Sequence, residues 1–109
     1  MLIGYYTTAS GAQPVRKYVD GLEAGQRAKV DAALLQIGRY GIEGSAVTVR
    51  PIKGKLWELK VDAQRVFYVV ARGPMMVLLH AYRKQSQKAP RREIETAVQR
   101  FKDVIGGTP

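Results

Sequence analysis

The feature that most restricts the fold is a group of three apolar segments in the second half of the chain, joined by very short connections. The segments are Leu56–Val61, Arg65–Ala71 and Met75–Arg83, and each of the two connections contains three residues. Within the segments apolar residues alternate as in a strand rather than recur at helical spacing. Connections this short join only neighbouring antiparallel strands, so the sequence predicts an antiparallel meander.

The rest of the chain predicts one more strand and three helices. Residues 1–8 are β-prone, and residues 42–54 are irregular. Apolar residues recur at helical spacing in three segments, which are Pro14 to about Leu22, Ala24 to Tyr40, and the segment after Pro90. The predicted order is β-α-α-β-β-β-α within a single domain, residues 1–109. We expect an α+β fold in which an antiparallel sheet has its helices packed on one face.

The composition excludes several classes of protein. Cysteine is absent, which rules out disulfides and thiolate-bound metals, and one His with scattered acids argues against a zinc or two-metal site. We therefore expect no metal and no cofactor. The first residues lack the features of a signal peptide, and apolar runs such as Met75–Leu79 are too short to cross a bilayer. We expect a cytoplasmic protein that does not bind membranes.

Positive charge is concentrated in one segment of the chain. Residues 50–92 contain eleven Lys and Arg but only two acids, Glu58 and Asp62, whereas the segments before and after them are nearly neutral. The formal charge of +9 therefore comes from this segment. Such a one-signed segment is typical of a site for a polyanion, and a solvated basic face is the alternative explanation.

The basic loop Lys53-Gly54-Lys55 and the nearby Arg65 are candidates for phosphate binding. The glycine allows a phosphate backbone to approach within reach of both ammonium groups. Arg65 begins a strand, where its planar guanidinium suits a phosphate or the charge that develops during phosphoryl transfer. Pairing of Arg65 with Glu58 on the neighbouring strand is the alternative, structural explanation.

The end of the third apolar segment brings together groups that can transfer protons. His80 and Tyr82 fall on one face of a strand, and Lys84 and Lys88 follow closely. His can donate and accept a proton near neutral pH, although a lone His on an apolar strand is also commonly structural. Such groups can cleave RNA without a metal, because the 2′-hydroxyl beside each phosphodiester is the nucleophile. DNA lacks that hydroxyl and would only be bound.

Several motifs occur here in an order that is known from one group of proteins. The motifs are Pro14-Val15 with Tyr18 and Leu22, Lys53-Gly54 through Leu56-Trp57-Glu58-Leu59, Arg65-Val66-Phe67-Tyr68, and Leu78 to Lys84 followed by Gln87-Lys88 and Pro90. In these motifs the chain resembles the phage-derived, HigB-like branch of the RelE/ParE toxin superfamily. The resemblance covers almost the whole chain.

The resemblance implies a RelE-like, microbial RNase-like fold and the toxin of a type II toxin–antitoxin module. Such toxins are mRNA interferases, endoribonucleases that cleave mRNA, typically on the ribosome, and their partner is a helix-turn-helix antitoxin of the HigA type. Carried over by position, the resemblance implies the catalytic residues Arg65, His80, Tyr82 and Lys84. It implies RNA binding by Lys53, Lys55, Lys60, Arg83 and Lys88.

One departure and two alternative functions accompany this interpretation. Lys60 stands where relatives usually have Arg, which keeps the charge but loses the bidentate geometry. A ParE-like inhibitor of DNA gyrase on the same fold would need no nuclease residues, and its signature would be DNA damage with intact mRNA. A non-catalytic nucleic-acid-binding module would bind RNA in a strongly salt-dependent way and leave it uncut.

Overall fold

The computed structural model describes all residues, 1–109, as one five-stranded sheet with three helices. The elements are β1 (Leu2–Tyr5), α1 (Pro14–Asp20), α2 (Ala24–Tyr40), β2 (Thr48–Lys53), β3 (Leu56–Val61), β4 (Gln64–Ala71), β5 (Met75–Arg83) and α3 (Arg91–Ile105). The spatial order of the strands is β1-β5-β4-β3-β2. The α+β class is therefore confirmed.

The predicted meander is confirmed, since β3, β4 and β5 are consecutive antiparallel neighbours. The sheet as a whole is mixed, because β1 pairs with β5 in parallel through Leu2↔Met75 to Tyr5↔Leu78. The expectation of a purely antiparallel sheet is therefore wrong. The parallel pairing is possible because the connection after β1 is long. It contains α1 and α2, so β1 need not pair with the next strand in the sequence.

One strand is missing from the predicted order, because residues 48–53 form β2 within the segment that was expected to be irregular. β2 pairs antiparallel with β3 and contains Pro51, followed by a shift of register before Lys53. Proline lacks an N–H and is tolerated at the edge of a sheet, which is where β2 lies. A proline and a bulge together remove the alternation that identifies a strand in a sequence.

The helices cover both faces of the sheet, so the expectation that all of them pack on one face is wrong. α1 and α2 pack on one face, over a core that includes Val15, Leu34 and Leu59. α3 packs on the other face through Ala97 and Phe101. Because successive side chains of a strand point to opposite faces, a central strand that is apolar throughout must be covered twice. The β4 strand is such a strand, and α3 is its second cover.

Candidate nucleic-acid interface

Three of the predicted site residues lie side by side on the α3 face of the sheet. The register of the strands pairs Lys60 in β3 with Arg65 in β4, and Arg65 with Tyr82 in β5. Directly paired residues of neighbouring strands project to the same face. We call Lys60, Arg65 and Tyr82 the cationic row. It lies at the end of the sheet where β5 leaves for α3, and the Lys84 backbone N–H closes this end by donating to the Ala63 carbonyl at 2.7 Å.

A buried carboxylate, Glu58, holds the row together. Its side chain is completely buried, and its Oε1 accepts a hydrogen bond from Nε of Arg50 at 2.8 Å. The Arg65 Nε lies 3.9 Å from the same oxygen. The Tyr82 hydroxyl donates to the other oxygen, Oε2, at 2.9 Å. A buried charge is tolerated when it is paired and hydrogen-bonded, and here two guanidinium groups and a phenol satisfy one carboxylate.

Arg65 is rigidly placed. Only 8% of its side chain is exposed, and its Nη1 donates to the carbonyls of Asp62 at 2.6 Å and Gln64 at 2.9 Å. Asp62 has a φ of 52°, so the β3–β4 turn adopts the left-handed conformation, which Asp tolerates better than most residues. The pairing of Arg65 with Glu58 that the sequence offered as the structural alternative is present. It does not exclude a role in binding, because the same contacts fix the direction of the guanidinium.

His80 faces α3 because of a bulge in β5. The register pairs Tyr68 with Leu78 but Phe67 with His80, so Leu79 is an additional residue. A bulge lets two consecutive side chains point to the same face, and Leu79 packs in the α3 core next to His80. The rings of His80, Phe67 and Tyr82 then stack, with centroids 5.4 to 6.4 Å apart. The prediction that His80 and Tyr82 share a face is confirmed.

Both ring nitrogens of His80 are engaged by α3. Nε2 lies 2.9 Å from the Glu93 carboxylate, and Nδ1 lies 3.1 Å from Nη1 of Arg100. A guanidinium can only donate, so Nδ1 accepts and Nε2 carries the proton that is donated to Glu93. Burial lowers the pKa of His80, although the Glu93 carboxylate acts in the opposite direction. His80 is therefore neutral near pH 7 and clamps α3 to β5.

The basic hairpin turn between β2 and β3 lies at the other end of β3 from the cationic row. Lys53 and Lys55 are exposed there, as predicted for phosphate contacts. Leu56, which pairs with Lys53, is four residues from Lys60, or about 13 Å along a strand. The hairpin turn and the cationic row are therefore separate regions of one face, and no single phosphate can contact both.

The free face of Gly54 is already occupied. Its φ is 54°, and the backbone of Pro109 passes so close that a side chain at position 54 would clash with it. From the sequence we predicted that Gly54 allows the close approach of a phosphate backbone. In the structure it is the chain's own tail that makes the close approach, while Lys53 and Lys55 on either side stay exposed.

The remaining predicted cations surround the β5–α3 connection. Lys84 and Lys88 are exposed in it, and neither forms an ion pair. Arg83 is also exposed, but it alternates with Tyr82 and so projects to the α1–α2 face. The structure therefore brings Lys84 and Lys88 to the end of the sheet that holds the cationic row and separates Arg83 from Tyr82.

Four residues of this region were not predicted as site residues. Glu58 lies within a quoted motif and Arg50 shortly before it, and their cross-strand pairing (Arg50↔Glu58) would have identified them if β2 had been recognised. Glu93 and Arg100 are seven residues apart, two turns along α3, a spacing that places both on one side of the helix. Their contact with His80 could not be predicted while α3 was assigned to the other face.

The structure contains neither a cluster of metal ligands nor a membrane-spanning helix. No three His, Cys, Asp or Glu side chains come together in a way that could hold a metal ion. None of the three helices has the length and apolarity that crossing a bilayer requires.

Comparison with known families gives one match. The model of the family described as phage-derived, Gp49-like protein (DUF891) matches residues 17–102. The matched region begins within α1 and includes the cationic row, Glu58, His80 and most of α3. A search of curated proteins finds no match to the chain.

Proposed function

Because this chain belongs to the family of phage-derived, Gp49-like proteins, which is of the RelE-like toxin type, we propose that it is a toxin that cleaves messenger RNA. The observation that supports this proposal best is the register that aligns Lys60, Arg65 and Tyr82 on one face. Two cations and a phenol in one row provide the charge that a scissile phosphate requires. The toxin acts on ribosome-bound message and is neutralised by a helix-turn-helix antitoxin.

The proposed reaction needs no metal. The 2′-hydroxyl of the RNA gives its proton to His80 as its oxygen attacks the adjacent phosphorus, and the bond to the 5′-oxygen of the next nucleotide breaks as that oxygen takes a proton from Tyr82. The proton then returns from His80 to Tyr82, so both residues end in their starting state. Arg65 and Lys60 stabilise the charge that builds up on the phosphate oxygens. The exposed Lys84 and Lys88 hold the neighbouring phosphates. Two backbone carbonyls already fix Arg65, so the direction of its guanidinium is set before the phosphate binds.

Proton transfer is assigned to Tyr82 and His80. The Tyr82 hydroxyl donates to Glu58, and burial, followed by this hydrogen bond, raises the pKa of Tyr82 well above its usual value. A tyrosine in this state is protonated at neutral pH and cannot act as a base. It is a weak acid, but an alkoxide is a stronger base than a phenolate, so Tyr82 can protonate the leaving 5′-oxygen once that oxygen carries charge. Only 17% of the His80 side chain is exposed and both its nitrogens are occupied, so His80 must exchange Glu93 or Arg100 for the RNA before it can act.

The test is cleavage of message in a cell-free translation extract. Wild-type protein is expected to stall translation and leave cut mRNA, and Arg65→Ala to reduce the cleavage rate by about 10²-fold or more, since it removes a stabilising charge. Lys84→Ala, at an exposed position, gives a second variant whose folding is not in question. The matched control is Arg72→Ala in the exposed β4–β5 turn, at the other end of the strand. Full cleavage by both Arg65→Ala and Lys84→Ala would overturn the assignment.

A second candidate function is supported by the burial of the row. Tyr82 is 4% exposed and Arg65 6% exposed, which is also what a structural network beneath a binding surface would show. The protein would then bind RNA through its exposed lysines and leave it intact. Affinity would fall steeply with salt in this case, while purified ribosomes with message would yield no cut product.

A further inference from the structure

A groove lies between the basic hairpin turn and the outer side of α3. We call it the α3 groove, and its volume is about 520 Å³, within the range of small-ligand sites. Its lining consists of Lys53 at the end of β2, Ala89 in the β5–α3 connection, and six residues of α3, which are Arg91, Ile94, Glu95, Val98, Gln99 and Lys102. The groove is on the α3 face of the sheet but is separate from the cationic row, none of whose residues line it.

The charge of the α3 groove is positive. Arg91 forms an exposed ion pair with Glu95 at 3.7 Å, and this pair is nearly neutral as a unit. Lys53 and Lys102 form no ion pair and are exposed. Lys53 comes from the sheet and Lys102 from the last turn of α3, so two free ammonium groups border one cavity from different elements. An anion in the groove meets both without displacing a protein partner.

One wall of the groove is apolar. Ile94 and Val98 are one helical turn apart, and both are half-buried. One side of each side chain packs against the core under α3, and the rest of it lines the groove. Free lysines beside a flat aliphatic wall match the two parts of a nucleotide, a phosphate and a base. We propose that the α3 groove is a subsite for one nucleotide of a single-stranded RNA, with its phosphate between Lys53 and Lys102 and its base against Ile94 and Val98.

This subsite rests on the proposed function in that the same strand would continue to the cationic row. Lys53 borders the groove, and the row begins about 13 Å further along β3, a distance that a short stretch of extended RNA covers. An acidic peptide could also meet the two lysines. The apolar wall favours RNA, because a run of carboxylates carries no flat apolar group to place on Ile94 and Val98.

The first experiment measures binding of a single-stranded RNA whose 2′-hydroxyls are methylated, so that it is bound but not cut. Lys102→Gln is expected to weaken binding about three- to tenfold and to lower the slope of log K against log salt by about 0.7, the value of one phosphate contact on a single strand. The matched control is Lys17→Gln, which makes the same change of charge at an exposed position of α1 on the opposite face. Equal effects of the two variants would overturn the subsite.

The second experiment tests whether a base of the RNA packs against the apolar wall of the groove. An abasic position moved along the RNA is expected to weaken binding to the wild type at one place, and to have no additional effect there on Val98→Ser. Uniform loss at every position, or the same loss in both proteins, would contradict the apolar wall. Competition by polyglutamate that disappears in Lys102→Gln, without any loss of RNA affinity in that variant, would assign the groove to an acidic protein partner instead.

These outcomes are separable from failure of the nuclease proposal. If the wild type never cuts message but Lys102→Gln still lowers RNA affinity, the subsite stands and the catalytic assignment falls. If the wild type cuts message and Lys102→Gln binds the methylated RNA like Lys17→Gln, the catalytic assignment stands and the subsite falls.

Discussion

The two faces of the sheet bury polar groups of different kinds. On the α1–α2 face the one fully buried polar side chain is neutral: Gln64, whose Oε1 accepts a hydrogen bond from the Tyr18 hydroxyl. On the α3 face the adjacent residue of β4, Arg65, is buried with the carboxylate of Glu58. Two consecutive residues of β4 thus face different surroundings: Gln64 points into an ordinary core, and Arg65 points into an ionic network.

This difference is not what stability alone would require. Buried ion pairs usually contribute less to stability than apolar residues of the same size would, because desolvation offsets the attraction. A fold that needed only stability would have two faces of the first kind. The α3 face instead keeps guanidinium, carboxylate, phenol and imidazole groups close together, and the exposed Lys84 and Lys88 lie at the end of the sheet that holds them. We therefore expect substitutions on the two faces to have different consequences.

The largest effect is expected from removing the centre of the network. Glu58→Ala leaves Arg65 buried without its counter-ion and the Tyr82 hydroxyl buried without its acceptor, and we expect a loss of about 3–5 kcal/mol in the free energy of unfolding. Arg50→Ala is the control, because Arg50 is 37% exposed and its loss leaves Glu58 two other partners. Denaturant unfolding of both variants measures this. If both variants lost a similar, small amount of unfolding free energy, the α3 face would not differ from the α1–α2 face in this respect.

A smaller, pH-dependent effect is expected from the clamp between β5 and α3. The charged groups in contact with His80 are Glu93 and Arg100, both from α3, and Tyr82 is its neighbour on β5. Because burial lowers the pKa of His80, the unfolded chain takes up a proton near pH 6.5 while the folded protein does not. Stability should therefore fall as the pH decreases through that value, by at most about 1.4 kcal/mol per pH unit.

The variant His80→Gln isolates this contribution, since an amide can donate to Glu93 and accept from Arg100 without titrating. The difference in unfolding free energy between the wild type and His80→Gln, measured between about pH 7 and pH 5, should change in favour of the variant at low pH. A difference that stays constant with pH would show that the imidazole is not held neutral by its site.

The smallest effect is expected on the α1–α2 face. Val70 is 45% exposed at the rim of an apolar groove that also contains Trp57 and Tyr68. Val70→Ser should change stability by no more than about 0.5 kcal/mol and leave RNA affinity and cleavage unchanged. A clear loss of RNA binding in this variant would place part of the interface on the wrong face and weaken the comparison.

The elements were predictable where one physical signal decides them. Apolar alternation with short turns identified β3, β4 and β5, and helical spacing placed α2 at its observed bounds. β2 was missed because Pro51 and the following bulge interrupt its alternation. The position of α3 was missed because an amphipathic stripe shows that one side of a helix is buried and not which face of a sheet buries it.

The site was predictable only in part. That His80 and Tyr82 share a face follows from alternation, and the exposure of Lys53, Lys55, Lys84 and Lys88 follows from their loops. The central role of Glu58 was not predicted, because an acid on the presumed solvent side of a strand gives no sign that it is buried. Burial of Glu58 depends on α3, on Arg50 in the unrecognised β2, and on the strand register, which cannot be read from the sequence.

The parallel pairing of β1 with β5 has a consequence for how the protein is made. Leu2 in β1 pairs with Met75 in β5, so β1 cannot join the sheet until β5 has been synthesised, more than seventy residues later. Contacts between such distant parts of a chain slow folding, because a long loop must close before they contribute. β5 also carries Tyr82 and His80, and α3 follows it. The nascent chain therefore acquires its ordered α3 face only after β5 and α3 have both been synthesised.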